Sequence, residues 1–227
     1  ICRKFSPKEI LSLGYEEMTN NIAIHNLFAI KAEVDRVKES IHEGRLWEYV
    51  MKKMRAHPKL FESIDIFTKN SNHFLNTTPK FKSRSIFLFS KEDQYRPEVL
   101  AYQNTIKEFK TRKKIMVLSK NTLTKPSYLT NEYSMLKEKF KDSESIQFCY
   151  YNPFLGIIPL ELSDLYPAAH YEMPRFDFLP DDFPTFAQTW NTLFSKNNFD
   201  TLYVQKNDEF LKPFVKLLPK NIKKKFY

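Results

Sequence analysis

Residues 146–151 (IQFCYY) form a short apolar and aromatic run that reads as a buried strand. The 23 residues that follow, 152–174 (NPFLGIIPLELSDLYPAAHYEMP), hold a glycine, four prolines and a histidine, a loop-rich composition. This order leaves Asn152 and Pro153 at the carboxyl end of a strand, where open α/β sheets bind their ligands. Three more short apolar runs, 85–90, 114–119 and 201–205, alternate with helix-compatible stretches at 97–109, 128–140 and 183–194. Strands alternating with helices predict a three-layer α/β domain: a mostly parallel, four-stranded sheet, covered on both faces and joined by right-handed crossovers.

The first part of the chain has a different rhythm. From residue 7 to about 70 the pattern is helical, with Ile30, Val34, Val37 and Ile41 three and four apart. Gly44 falls at an expected helix C-terminus and Pro58 at a first-turn position. Residues 70–84 (NSNHFLNTTPKFKSR) are polar, lack periodicity and carry Pro79. The expected division is therefore a helical module over 1–80 and an α/β domain over 81–227. The chain opens on Ile1 and Cys2 without an initiating methionine, which reads as a fragment, a processed chain or a piece cut from a longer protein.

With 227 residues, 42% hydrophobic and 15% aromatic, the chain can bury a real core. It contains no apolar run of membrane-spanning length and no charged-then-apolar opening, so nothing in it argues for membrane insertion or secretion. Two cysteines, Cys2 and Cys149, cannot make a disulfide framework, so a cytoplasmic location is expected. A net charge of +9, with basic residues clustered at 107–114 and 220–225, favours a polyanionic partner, nucleic acid first. The terminal KNIKKK reads either as a phosphate-binding tail or as a frayed helix end.

Cys2 and His25 are two residues of metal-ligating type, half of a Cys3His set for structural zinc. Their context is more specific. The strings ICRKF, HNLF, IHEGRLWEYV and RAHPKL resemble the zinc-binding end of the barrel in archaeal tRNA-guanine transglycosylases and the related archaeosine synthases. In that family a C-x-C-x2-C cluster is completed by the histidine of an HNL segment. The resemblance assigns Cys2 and His25 to a zinc site whose other two cysteines would precede residue 1. RPEVLAY, KIMVLS and LGIIPLELSDLYPAAHYEMP are similar to the domain that follows the barrel in archaeosine synthase. For that domain the resemblance implies a fold like uracil-DNA glycosylase.

The family's core motif, P-C-x3-K-P-Y-x2-S-x2-H, corresponds here to KNTLTKPSYLTNEY, residues 120–133. Lys125 and Pro126 match and Thr130 stands for the serine, whereas Asn121 replaces the cysteine, Ser127 the tyrosine and Tyr133 the histidine. The resemblance implies addition of an amine, from lysine or another donor, to the nitrile of 7-cyano-7-deazaguanine in the tRNA D-loop. A thiolate is suited to attack such a carbon, and asparagine cannot form the adduct. An active form of this chain would need direct attack by the amine, with Lys125 holding the developing charge. Candidate catalytic residues are thus Lys125, His170, Asn121 and Thr130, and candidate substrate-binding residues are Asn152, Pro126, Tyr133 and Arg96. The implied partners are tRNA and a catalytic partner subunit or radical enzyme of the archaeosine pathway. The alternative is a noncatalytic subunit that binds tRNA or a partner.

Several of these residues also carry a structural reading. His170 is either a functional contact or a hydrogen-bonded loop residue, and Arg96 either binds a phosphate or pairs with an acid at a helix start. Glu161 and Asp164 either orient an amine or cap the LELSDL segment, and Cys149 fits a small buried apolar role. The many aromatics suit either a core or the stacking of an extruded nucleobase.

Overall fold

Ser6 opens the helical unit. In the computed structural model, which describes residues 4–122, 124–141, 144–174 and 178–227, its hydroxyl accepts the Glu9 amide at 3.3 Å and the Glu9 carboxylate accepts the Ser6 amide at 2.6 Å. This reciprocal cap starts α1 (Pro7–Leu11), with Pro7 in the first turn where its missing N–H costs nothing. The long helix α2 (Tyr15–His42) ends before Gly44, whose φ of 70° turns the chain into α3 (Leu46–Met54). Glu33 of α2 ties the two together by accepting the Lys53 ammonium at 2.6 Å and the Tyr49 hydroxyl. A single turn, α4 (Pro58–Phe61), follows. The spaced residues Ile30, Val34 and Ile41 lie along α2 as the periodicity predicts, and all three are exposed, as is Leu27.

The chain forms two compact units, Ile1–Phe61 and Glu62–Tyr227. The division thus falls before the polar stretch around Pro79, because α5 (Ile64–Lys69) and α6 (Ser71–Thr77) group with the second unit, where α6 packs on α7 (Pro97–Glu108). Between them runs the short strand β1 (Ile86–Phe87).

The rest of the second unit alternates strands and helices. In order come β2 (Ile115–Lys120), α8 (Asn131–Lys139), β3 (Ile146–Asn152), β4 (Gly156–Pro159), β5 (Tyr171–Glu172), α9 (Pro184–Lys196), β6 (Thr201–Val204), α10 (Lys212–Lys216) and β7 (Lys223–Phe226). Five strands make one sheet in the order β4-β3-β2-β6-β7, parallel except for the β3–β4 pair. β1 and β5 form a separate parallel pair.

This α/β architecture with mostly parallel strands is the expected class, with a different roll of strands. The run at 85–90 pairs outside the main sheet, while β4 and β7 enter it. Residues 156–159 read as loop because Gly156 and Pro159 bracket only two apolar residues, and KKKF reads as surface because nothing in it is periodic. All seven residues of β3 are buried, since β3 lies inside the sheet with both faces covered.

Alternate strand residues feed two cores. Met116, Leu118, Cys149, Leu202 and Val204 face a large cluster built with Val99 and Ile106 of α7, Phe186 and Trp190 of α9 and Phe214 of α10. Val117, Ile146 and Phe148 face the opposite side, where Tyr133 and Leu136 of α8 cover them. Burying each large apolar side chain stabilises the fold by about 1.5–3 kcal/mol. β2 leads to α8 on one face and β6 to α10 on the other, so the loops leaving the adjacent ends of β2 and β6 part in opposite directions. That divergence opens a crevice at the strand ends.

Candidate functional site

The crevice is a cleft of about 530 Å³, lined by Lys120, Tyr151, Met173, Gln205, Lys206 and Asp208 among others. Tyr151 donates its hydroxyl to Asp208 at 2.6 Å, and Asp208 also accepts the Leu211 amide at 3.0 Å. The loop between Lys206 and Asp208 turns through Asn207 at φ 66°, a conformation asparagine tolerates better than most residues.

Beside this cleft, three of the sequence-derived candidates meet on one residue that sequence reasoning missed. Tyr171 of β5 is buried, and its hydroxyl accepts the side-chain amides of Asn121 (2.7 Å) and Asn152 (3.1 Å). Lys125 donates to the Tyr171 carbonyl and holds its ammonium 3.6 Å from the centroid of the same ring. The remaining valence of each amide is also used. Asn121 Oδ1 accepts the Ser127 hydroxyl, and Asn152 Oδ1 accepts the backbone amides of Phe154 (2.9 Å) and Leu155 (3.1 Å). Asn152 Nδ2 further reaches the Met173 sulfur at 3.1 Å, and so touches the wall of the cleft.

Burial shapes the titration of this cluster. It pulls the Lys125 ammonium below the usual lysine range, against the opposing charge of Glu172. It pushes the Tyr171 phenol up, although the amides of Asn152 and Asn121 favour its ionised form. Cys149 lies deep in the core with its thiol pushed well up by burial, the state of an inert thiol.

The other candidates sit elsewhere. Thr130 caps α8: its hydroxyl accepts the Tyr133 amide at 3.2 Å and donates to the Ser127 carbonyl at 2.7 Å. Pro126, beside Lys125, follows a cis peptide bond. Tyr133 packs edge-on against Phe148, with ring centroids 5.5 Å apart. Its phenol is raised by burial and by the charge of Glu161. His170 is exposed and leans on the Tyr166 ring at 6.0 Å, while its carbonyl accepts the Ile86 amide at 3.0 Å. His170 lies in the bend that precedes β5, where its amide donates to the Pro167 carbonyl at 2.8 Å. Arg96 is fully buried and bonds the Phe87 carbonyl at 3.1 Å; with Lys82 it flanks the Glu98 carboxylate, 3.5 Å from the arginine. Of its two readings, the structure therefore shows the internal ion cluster. Glu161 accepts Gln147 (2.7 Å) and Lys113 (3.2 Å), and Asp164 accepts the Tyr128 hydroxyl.

His25 is exposed on α2, and Cys2 lies outside the described residues. Among the described residues no group of three histidine, cysteine, aspartate or glutamate side chains could hold a metal ion. Among them, too, no helix is long and apolar enough to cross a membrane.

Residues 1–59 match the queuine tRNA-ribosyltransferase family. A tRNA-guanine(15) transglycosylase of Saccharolobus solfataricus is 31% identical over 179 residues, 77% of this chain and 35% of that protein. The chain is related to the archaeal tRNA-guanine transglycosylases. The enzyme of the same description from Sulfolobus acidocaldarius is also 31% identical, over 77% of this chain and 34% of its own length. One from Methanococcus maripaludis is 29% identical over 212 residues, 92% of this chain and 29% of that protein. The kinship therefore extends beyond the helical unit into the α/β unit. The chain spans about a third of the length of the curated relatives it matches most strongly.

What sequence reasoning missed was legible in part. Tyr171 stands next to His170 inside YPAAHYEMP, a large aromatic in a segment already singled out.

Proposed function

We propose that the chain is a tRNA-modification protein of the archaeosine pathway, acting in the cytoplasm, whose α/β unit binds tRNA without forming a covalent bond to the base. The observation that carries this reading is the state of Asn121 and Lys125. The position matching the family's cysteine bears an amide that is engaged at both ends, by Tyr171 and Ser127, and Lys125 is tied to Tyr171. The kinship to enzymes named for tRNA guanine and the net charge of +9 support tRNA as the partner. Chemistry would then fall to a partner subunit or to a further part of a larger transglycosylase-related protein. The exposed apolar line Leu27, Ile30, Val34 and Ile41 on α2 supports such packing.

A second reading, addition of an amine to the nitrile of 7-cyano-7-deazaguanine, draws support from Lys125. Burial lowers its pKa, which eases release of a proton from a hydrogen-bond donor beside the cleft. In both readings Cys2 and His25 would be two ligands of a structural zinc, completed by cysteines outside this sequence. Zinc there would supply folding energy to the helical unit. The α/β unit is read as uracil-DNA-glycosylase-like on its parallel strands and two helical layers.

The test is mass analysis of tRNA carrying the cyano-deazaguanine base after incubation with the chain and candidate amines, alongside a filter-binding titration of the same tRNA. Tight binding with no mass gain supports the noncatalytic reading. A mass gain abolished by Lys125→Ala overturns it in favour of amination.

A further inference from the structure

The KNIKKK segment is not a helix end. Lys223–Phe226 form β7, which pairs with β6 on one side only and ends the sheet, and all four of its residues are exposed. We propose that β7 and the lysines flanking it are the surface on which tRNA phosphates lie, an inference that rests on the tRNA-binding reading above.

The register spreads charge to both faces of the edge. Lys225 pairs with Tyr203, and its ammonium stands 5.2 Å from the Tyr203 ring centroid and 3.2 Å from its hydroxyl. On the same face Lys139 of α8 stands 5.4 Å from the ring of Tyr227. Lys224 and Phe226 alternate to the other face. There Phe226, 63% exposed, lines a groove of about 430 Å³ with Lys206 and Lys216.

These charges lack internal neutralisation. Among the described residues Lys216, Lys220, Lys223, Lys224 and Lys225 form no ion pair, whereas Lys113, Lys196 and Lys212 each take a carboxylate. Cations this close repel within a Debye length of about 8 Å at physiological ionic strength. A polyanion laid along the edge removes that repulsion and releases its own counterions. Isolated lysines suffice to guard an edge strand from pairing with another chain. Three in succession, with aromatic rings beside them for ribose or base contact, suit an RNA backbone better.

The experiment measures tRNA binding by the full chain over a series of salt concentrations, with Lys223→Gln/Lys224→Gln/Lys225→Gln as the variant. The expected result is a salt slope shallower by about 2–3 and a loss of affinity of about tenfold or more at physiological salt. The corresponding triple arginine variant should keep the parental slope, and circular dichroism should show an unchanged fold. Lys91→Gln/Lys196→Gln, which removes two ion-paired lysines, should leave the slope unchanged. Tight parental binding with an unchanged slope in the triple glutamine variant would overturn the β7 surface and leave the tRNA reading standing. Absence of any tRNA binding by the parent would end both. Equal loss in the Lys91/Lys196 control would reduce the effect to bulk charge. Phosphatidylserine vesicles that bind as tightly as tRNA, with the same dependence on these lysines, would overturn an RNA-specific role.

Discussion

Lys125 holds its ammonium 3.6 Å from the centre of the Tyr171 ring while donating to the carbonyl of the same residue. One tyrosine therefore receives the cation on its face, the cation's hydrogen bond on its backbone and two asparagine amides on its hydroxyl. A ring-facing cation of this kind contributes about 0.5–2 kcal/mol, more as it is desolvated. The arrangement joins the residues after β2, the end of β3 and β5 at the edge of the strand-end cleft. It makes Tyr171 a structural hub.

Tyr171→Phe keeps the ring and removes the acceptor shared by Asn121 and Asn152. Buried amide donors left without a partner cost about 1–3 kcal/mol. Urea unfolding should show a loss in that range, with Asn121→Ala adding little on top because the two changes break one network. Additive losses would mean that Tyr171 and Asn121 act independently.

The Glu98 carboxylate lies 99% out of solvent between Lys82 and Arg96. Burial pushes its pKa up, yet the Arg96 and Lys82 cations outweigh that and hold it below its ordinary value of 4.5. With a folded value below the unfolded one, its contribution is fully present above the unfolded pKa and is lost as pH falls through the folded one. Glu98→Gln should cost about 3–5 kcal/mol near neutral pH, because the buried Arg96 and the half-buried Lys82 lose their anion. It should also flatten the fall in stability below about pH 4.5. Thermal melts from pH 3 to 7 read both effects, and an equally steep acid limb in the variant would contradict this assignment.

Gly156 begins β4 at φ 92°, and a Cβ there would stand 2.5 Å from Thr189 Oγ1 and 3.0 Å from Thr189 Cβ. The contact sets how closely α9 lies on β4. Gly156→Ala should therefore destabilise by about 2–5 kcal/mol, combining left-handed backbone strain with overpacking. Adding Thr189→Ala should recover the steric share and leave the backbone share, so the double variant costs less than the sum of the singles. Strict additivity in calorimetry would argue that Thr189 is not the obstacle.

How far the chain could be read in advance differs from element to element. Helices expected at 97–109, 128–140 and 183–194 correspond to α7, α8 and α9, because each carries a covered apolar face and a proline or threonine at its start. β3 was legible because a strand buried on both faces must be apolar throughout. β7 was not, since an edge strand needs only backbone pairing and leaves its side chains free to be lysines. At the candidate site, Asn121, Lys125 and Asn152 were singled out by position in a motif and at a strand end. Their convergence on Tyr171 was not, because β5 is far away in sequence and pairs with β1 rather than with the main sheet.

By itself the sequence determined the local preferences: helical periodicity before residue 70, the alternation of strands and helices after it, the positive charge, the kinship carried by YPAAHYEMP and the absence of a thiol at Asn121. These follow from short-range patterns and side-chain chemistry. Only the tertiary structure decided which candidates share a site, that Arg96 is spent on Glu98, that Thr130 is a helix cap, and that KKKF is an open sheet edge. Those outcomes depend on burial and on partners distant along the chain, and a linear pattern does not encode which buried polar group will satisfy which other.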